Sequence, residues 1–149
     1  MICLTLFALP VVLADCKYHR IPNIYLIFIA YYVGLERVIF GVASFKVVIV
    51  FIFFSIMAVM VMGMGMGDVK LLFLAVLALN LAGLSELFAL LLWIYVAAAL
   101  QIILITCLQR QIPRTIALAL AIILGCGLYL AAGSAPSLQE YAHALVNSR

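Results

Sequence analysis

Charge is what this chain has least of. Its 149 residues hold 8 lysines and arginines and 5 aspartates and glutamates, so 9% are charged against about 25% in ordinary soluble domains. Only two aspartates occur, Asp15 and Asp68. Hydrophobic residues reach 70% where roughly 45–50% is usual, and mean hydropathy is +1.42. A water-soluble chain of this length has too little interior to hide that much apolar surface. The composition therefore indicates an all-α polytopic membrane protein whose surroundings are the lipid bilayer. No stretch is long and polar enough for a separate soluble domain.

Other absences narrow the chemistry. The four cysteines, Cys3, Cys16, Cys107 and Cys126, lie far apart with no C-x-x-C spacing, which argues against zinc and a disulfide framework. His19 falls four residues after Asp15, but further ligands are missing, so no metal site is expected there. Local sequence offers no serine–histidine or cysteine–histidine arrangement. Phosphate-cradling glycine loops need a strand-to-helix context that is lacking. The net charge of +3 forms no basic patch for nucleic acid. No cofactor is expected.

What is present is a succession of apolar runs. Thirteen apolar residues rise only about 20 Å, short of the roughly 30 Å hydrocarbon core, so helix 1 is expected to continue through Asp15 towards His19 or Arg20. Without a basic n-region before the run, it does not read as a cleaved signal peptide. Pro22 then breaks the chain. Helix 2 is expected over 23–40, helix 3 over 46–62, helix 4 over 69–81, helix 5 over 87–108 and helix 6 over 115–132. Residues 1–132 thus form about six transmembrane helices. Residues 133–149 form a polar tail in which Ser137 and Glu140 fit a capping box ahead of a short interfacial helix.

Six spans leave both termini on one side. The loops after helices 1, 3 and 5 hold Lys17, Arg20, Lys70, Arg110 and Arg114, against Arg37, Lys46 and Arg149 opposite. That bias places the ends of the odd-numbered helices in the cytoplasm and both termini outside. Whichever way the chain is oriented, Asp15 ends helix 1 and Asp68 begins helix 4. Both therefore belong to the same membrane face.

A carboxylate at membrane depth is costly and marks a functional site. Two of them close together in a partly dehydrated place do not both ionise easily, so the pair shares one proton. The charged member can activate a water while the protonated member polarises a peptide carbonyl, which is aspartic-protease chemistry. The stretch Gly63-Met64-Gly65-Met66-Gly67-Asp68-Val69-Lys70 suits such a site. Its glycines let backbone or substrate approach closely and absorb unusual dihedrals. At Gly67 in particular, a methyl group is expected to obstruct substrate or to forbid a positive φ. Two bland readings compete: glycines at a helix contact and an ordinary first-turn carboxylate. Lys70 is most simply an interfacial anchor.

Three ordered motifs carry a family resemblance. Asp15 followed by Lys17, Arg20 and Ile21-Pro22-Asn23, then Gly65-Met66-Gly67-Asp68-Val69-Lys70-Leu71, then Arg110-Gln111-Ile112-Pro113 before an alanine-rich helix, resembles the prepilin peptidases (type IV leader peptidases). Those are GxGD intramembrane aspartyl proteases. The likeness covers residues 1–132 and implies that Asp15 and Asp68 are catalytic. It also implies that Gly65, Gly67, Lys70, Pro22 and Asn23 shape the site. The cytoplasmic insert with paired C-x-x-C motifs, which accompanies N-methylation in long members, is missing. The chain therefore resembles the short, peptidase-only form of Flp/Tad-type pili. The implied activity is removal of a basic leader from a pilin-like precursor at the cytoplasmic face of the inner membrane. The competing class is a non-enzymatic transporter or secretion-assembly subunit whose aspartates bind a cation or a partner.

Overall fold

The computed structural model describes residues 2–18, 21–110 and 117–134. The tail and its capping box, His19, Arg20 and the Gln111–Arg114 part of the third motif lie outside the described residues. Six helices follow in order: α1 (Ile2–Tyr18), α2 (Asn23–Phe40), α3 (Phe45–Met62), α4 (Met66–Leu79), α5 (Leu84–Gln109) and α6 (Leu118–Ser134). No strand occurs among the described residues. The chain is all-helical, as its apolar runs predict.

Among the described residues, two helices are long and apolar enough to cross a membrane: α2 over Asn23–Phe40 and α5 over Leu84–Leu108. Shorter apolar helical stretches cover Leu6–Asp15, Phe45–Val61 and Leu118–Gly133. Large apolar side chains also cover much of the exterior, among them Phe40, Phe45, Phe53, Met60 and Ile103. Exposed apolar patches of this extent mark a surface that meets something other than water.

Helix 1 runs through Asp15 as expected and carries Pro10 within it. Several boundaries differ from the sequence reading, among them both ends of α4 and the start of α5. α4 begins at Met66 and not at residue 69, because Gly65 takes an extended N-cap conformation (φ −63°, ψ 137°) and Val69 N–H already bonds Gly65 C=O at 3.1 Å. Its other end comes at Leu79, since Asn80 turns left-handed at φ 51°. α5 begins three residues early, at Leu84. There the Glu86 carboxylate accepts the Ala82 N–H at 2.8 Å and satisfies a donor just ahead of the helix.

Although α4 is short, it occupies the centre of the bundle. Leu71, Leu72, Leu74, Ala75, Val76 and Ala78 are all buried, against α2, α3 and α6. α1 packs on α2 and α6, with Phe7 stacked on Phe28 at 6.2 Å. α5 and α6 form a closely paired hairpin. A β-carbon at Gly125 would stand 2.6 Å from the Ile94 Cα, so the absence of a side chain there sets the approach of the two helices.

Two ends of the bundle follow from this order. At one end, Asn80 Oδ1 accepts the Ala43 N–H at 2.8 Å and joins the α2–α3 turn to the end of α4. At the other lie the end of α1, the 63–65 turn, the start of α4, the end of α5 and the start of α6.

Candidate active site

The second end holds both aspartates. Asp15 sits one turn before the end of α1 and is the only buried charged residue among those described, at 5% exposure. Its Oδ2 accepts the backbone N–H of Ala119 at 3.0 Å. Ala119 is the second residue of α6, so its N–H is one of the donors that a helix start leaves without an intrahelical partner. The carboxylate of one helix thus satisfies the start of another that lies 104 residues on in the chain.

The start of α6 is held from a second side. Gln101 of α5 donates from Nε2 to the Ala117 C=O at 3.3 Å. Ala117 and Ala119 are themselves buried, and side chains this small let α1, α5 and α6 converge.

Asp68 is half-buried in the first turn of α4, and no hydrogen bond to it occurs among the described residues. Its carboxylate folds back over Gly65, where a β-carbon would stand 3.0 Å from Oδ2. The charges of Asp15 and Asp68 interact across the site. The two aspartates therefore lie within electrostatic reach of each other at one end of the bundle, although they are far apart in the chain.

The other motif residues gather around the start of α4. Gly67 faces Ile21, whose Cβ would lie 3.5 Å from a β-carbon there. The Ile21-Pro22-Asn23 turn therefore packs directly on the GxGD turn. Pro22 is the extended N-cap of α2 (φ −61°, ψ 126°), and its C=O accepts the Tyr25 N–H at 3.2 Å. Asn23 and Lys70, both exposed, line a groove of about 420 Å³ between α2 and α4. A second groove, of about 450 Å³ between α3 and α4, is walled by Ile56, Met60, Met66, Val69 and Phe73, with Lys70 at its edge. Apolar channels thus flank the α4 turn that carries Asp68.

One expectation about the glycines is corrected. Gly67 lies within α4 at a helical φ, and the space for a β-carbon beside it is of ordinary van der Waals width. The positive φ belongs to Gly63, at +63°. There the left-handed conformation ends α3 and lets Met64 N–H bond Ala58 C=O at 3.4 Å. The tight place is Gly65.

Ala119 and Gln101 carry no signal that sequence reasoning could have found. A backbone N–H carries no residue-type signature, and an alanine in an apolar helix reads as filler. Among the described residues no cluster of three or more histidine, cysteine, aspartate or glutamate side chains could hold a metal ion. Cys107 is exposed, Cys126 is buried, and both are free thiols.

Comparison of the chain with protein-family models, curated proteins and solved structures returns no match. The likeness to prepilin peptidases rests on the residues quoted above.

Proposed function

We propose that the chain is a membrane aspartic endopeptidase of the prepilin-peptidase type, with about six membrane-spanning helices and both termini outside. It would remove the basic leader from a pilin-like precursor at the cytoplasmic face of the inner membrane, without a methyltransferase activity. The observation that carries this reading is the meeting of the only two aspartates at one end of the bundle. Their charges interact, one is buried, and the other rests on the glycine turn.

The chemistry follows from that pairing. Two adjacent carboxylates in a site poor in water hold one proton between them. The anionic member takes a proton from water while the acid polarises the scissile carbonyl. The apolar grooves beside α4 give the helix that follows the leader a surface on which to lie. A basic leader would remain in the cytoplasm, which sets the scissile bond at the height of the aspartates.

In the alternative, a transporter or secretion-assembly subunit, Asp15 and Asp68 would bind a cation or a partner and carry no chemistry. Co-expression with a precursor, carrying Asp15→Asn or Asp68→Asn, separates the two. Each change is expected to abolish processing while the protein still inserts and accumulates. Processing that survives either change removes that residue from the chemistry.

A further inference from the structure

Each of the two carboxylates lies beside a helix start. Asp15 meets the first turn of α6 and Asp68 stands in the first turn of α4. A helix dipole favours an anion at both places, so it does not distinguish them. The hydrogen bond does. Asp15 accepts the Ala119 N–H at 3.0 Å, whereas Asp68 accepts none among the described residues and faces the side of Gly65 where a β-carbon would stand. A donor aimed at a carboxylate stabilises its charged form.

We propose that the first turn of α6 is a third component of the site. In this arrangement the Ala119 N–H fixes Asp15 as the anionic member of the pair and leaves Asp68 to carry the shared proton. The assignment rests on the peptidase reading above. It makes Ala119 a positioning group acting through its backbone, with Gln101 holding the same turn from α5.

The surroundings agree with the assignment. Asp68 is the charged group that faces Asp15 from α4. α6 has no charged side chain, and its titratable Cys126 and Tyr129 lie about two turns or more beyond Ala119. Glu36 and Arg37 of α2 pair with each other at 3.0 Å near the far end of that helix. On α1 itself Lys17 is two residues on and exposed.

The reaction then has defined directions. The Asp15 carboxylate accepts a proton from water as the water oxygen bonds to the scissile carbonyl carbon. Asp68 gives its proton to the carbonyl oxygen, and a tetrahedral diol forms. In collapse, Asp15 returns its proton to the amide nitrogen as the C–N bond breaks. A diol hydroxyl proton passes back to Asp68, leaving a free carboxyl group and a free amine.

The test deletes one hydrogen atom. Incorporation of lactic acid at position 119 by nonsense suppression replaces the amide with an ester and removes the N–H while keeping the methyl group. Ala119→Pro removes the same donor by an unrelated change, and first-turn positions tolerate proline. Full-length protein in mixed micelles is assayed on a synthetic precursor with a basic leader followed by an apolar helix. The acid limb of kcat/KM reports the ionisation of the base. Loss of a hydrogen bond to a charged group is expected to move that limb up by about one pH unit, with KM little changed. An acid limb that stays in place in whichever variant folds, at undiminished activity, overturns the role given to Ala119. Failure of the wild-type chain to cut the precursor at any pH instead overturns the peptidase reading itself.

Discussion

The Asp68 carboxylate rests on Gly65: a β-carbon there would lie 3.0 Å from Oδ2, closer than side-chain carbons normally approach. The first glycine of the GxGD turn is therefore spacing for the third residue after it. The glycine next to the aspartate in sequence, Gly67, has a different neighbour, Ile21, at ordinary van der Waals distance from where a β-carbon would stand.

Alanine substitutions at these glycines should separate in opposite directions. Gly65→Ala pushes the Asp68 carboxylate aside and is expected to reduce precursor processing at least tenfold, since small misplacements of reacting groups cost about 10²-fold. Gly67→Ala occupies a helical position and should leave processing within about twofold, while stability rises by up to about 1 kcal/mol. Gly63→Ala enters a left-handed residue and should lower stability by about 1–2 kcal/mol. Processed-to-unprocessed precursor and melting temperature, recorded on all three variants, check this order.

Asp15 joins two helices as well as facing Asp68, so its substitutions should differ in stability. Asparagine keeps an oxygen acceptor for the Ala119 N–H, and alanine leaves that buried donor without a partner. Asp15→Ala is expected to be about 1–3 kcal/mol less stable than Asp15→Asn, with precursor processing expected to be lost in both. Asp68→Ala and Asp68→Asn should differ by much less. Thermal unfolding in detergent provides the comparison, and equal stability of the Asp15 pair would show that the α6 start finds another acceptor.

The α5–α6 hairpin depends on Gly125. A methyl group there would meet the Ile94 backbone N at 2.8 Å and Cα at 2.6 Å, atoms that move only with their helix. Gly125→Ala should destabilise the protein by about 1–3 kcal/mol through overpacking. It should also weaken processing in proportion, because the start of α6 is then displaced from Asp15. Gly127→Ala, two residues on with open space around it, serves as the control and should be silent.

Topology gives the fourth expectation. Single cysteines placed at Lys17 and Arg110 in a background lacking native cysteines should be shielded from a membrane-impermeant thiol reagent in intact cells. Cysteines at Ala43 and Ala82 should react. Those four residues mark the two bundle ends, and the greater share of lysine and arginine near the end that holds Lys17 and Arg110 sets the expected direction. Labelling of all four from outside would mean that the bundle does not span the bilayer as proposed.

Much of this was legible in the residues. Composition alone calls for helices with much apolar surface, and the breaks at Pro22, Gly41, Gly63–Gly65 and Gly83 divide the chain into its helices. These signals are local, fixed by backbone geometry and hydropathy within a few turns, which is why α2 falls on its expected span. Strict alternation of helix direction also puts Asp15 and Asp68 at one end of the bundle without any knowledge of packing. Boundaries set by side-chain and backbone capping escaped it: Gly65 starts α4 early, and Asn80 stops it where an apolar count would have run on.

The tertiary structure alone decided what each aspartate touches. Nothing in the neighbourhood of Asp15 indicates that its partner is a backbone N–H 104 residues away, because that donor is common to nearly every residue and becomes available only where a helix begins. The placing of α4 at the centre of the bundle likewise depends on which apolar faces meet, and in a chain this uniformly apolar no face is marked in advance. The identities and spacing of the two carboxylates belong to the sequence. Their proximity, and the bond that distinguishes one from the other, belong to the packing of α1, α4 and α6.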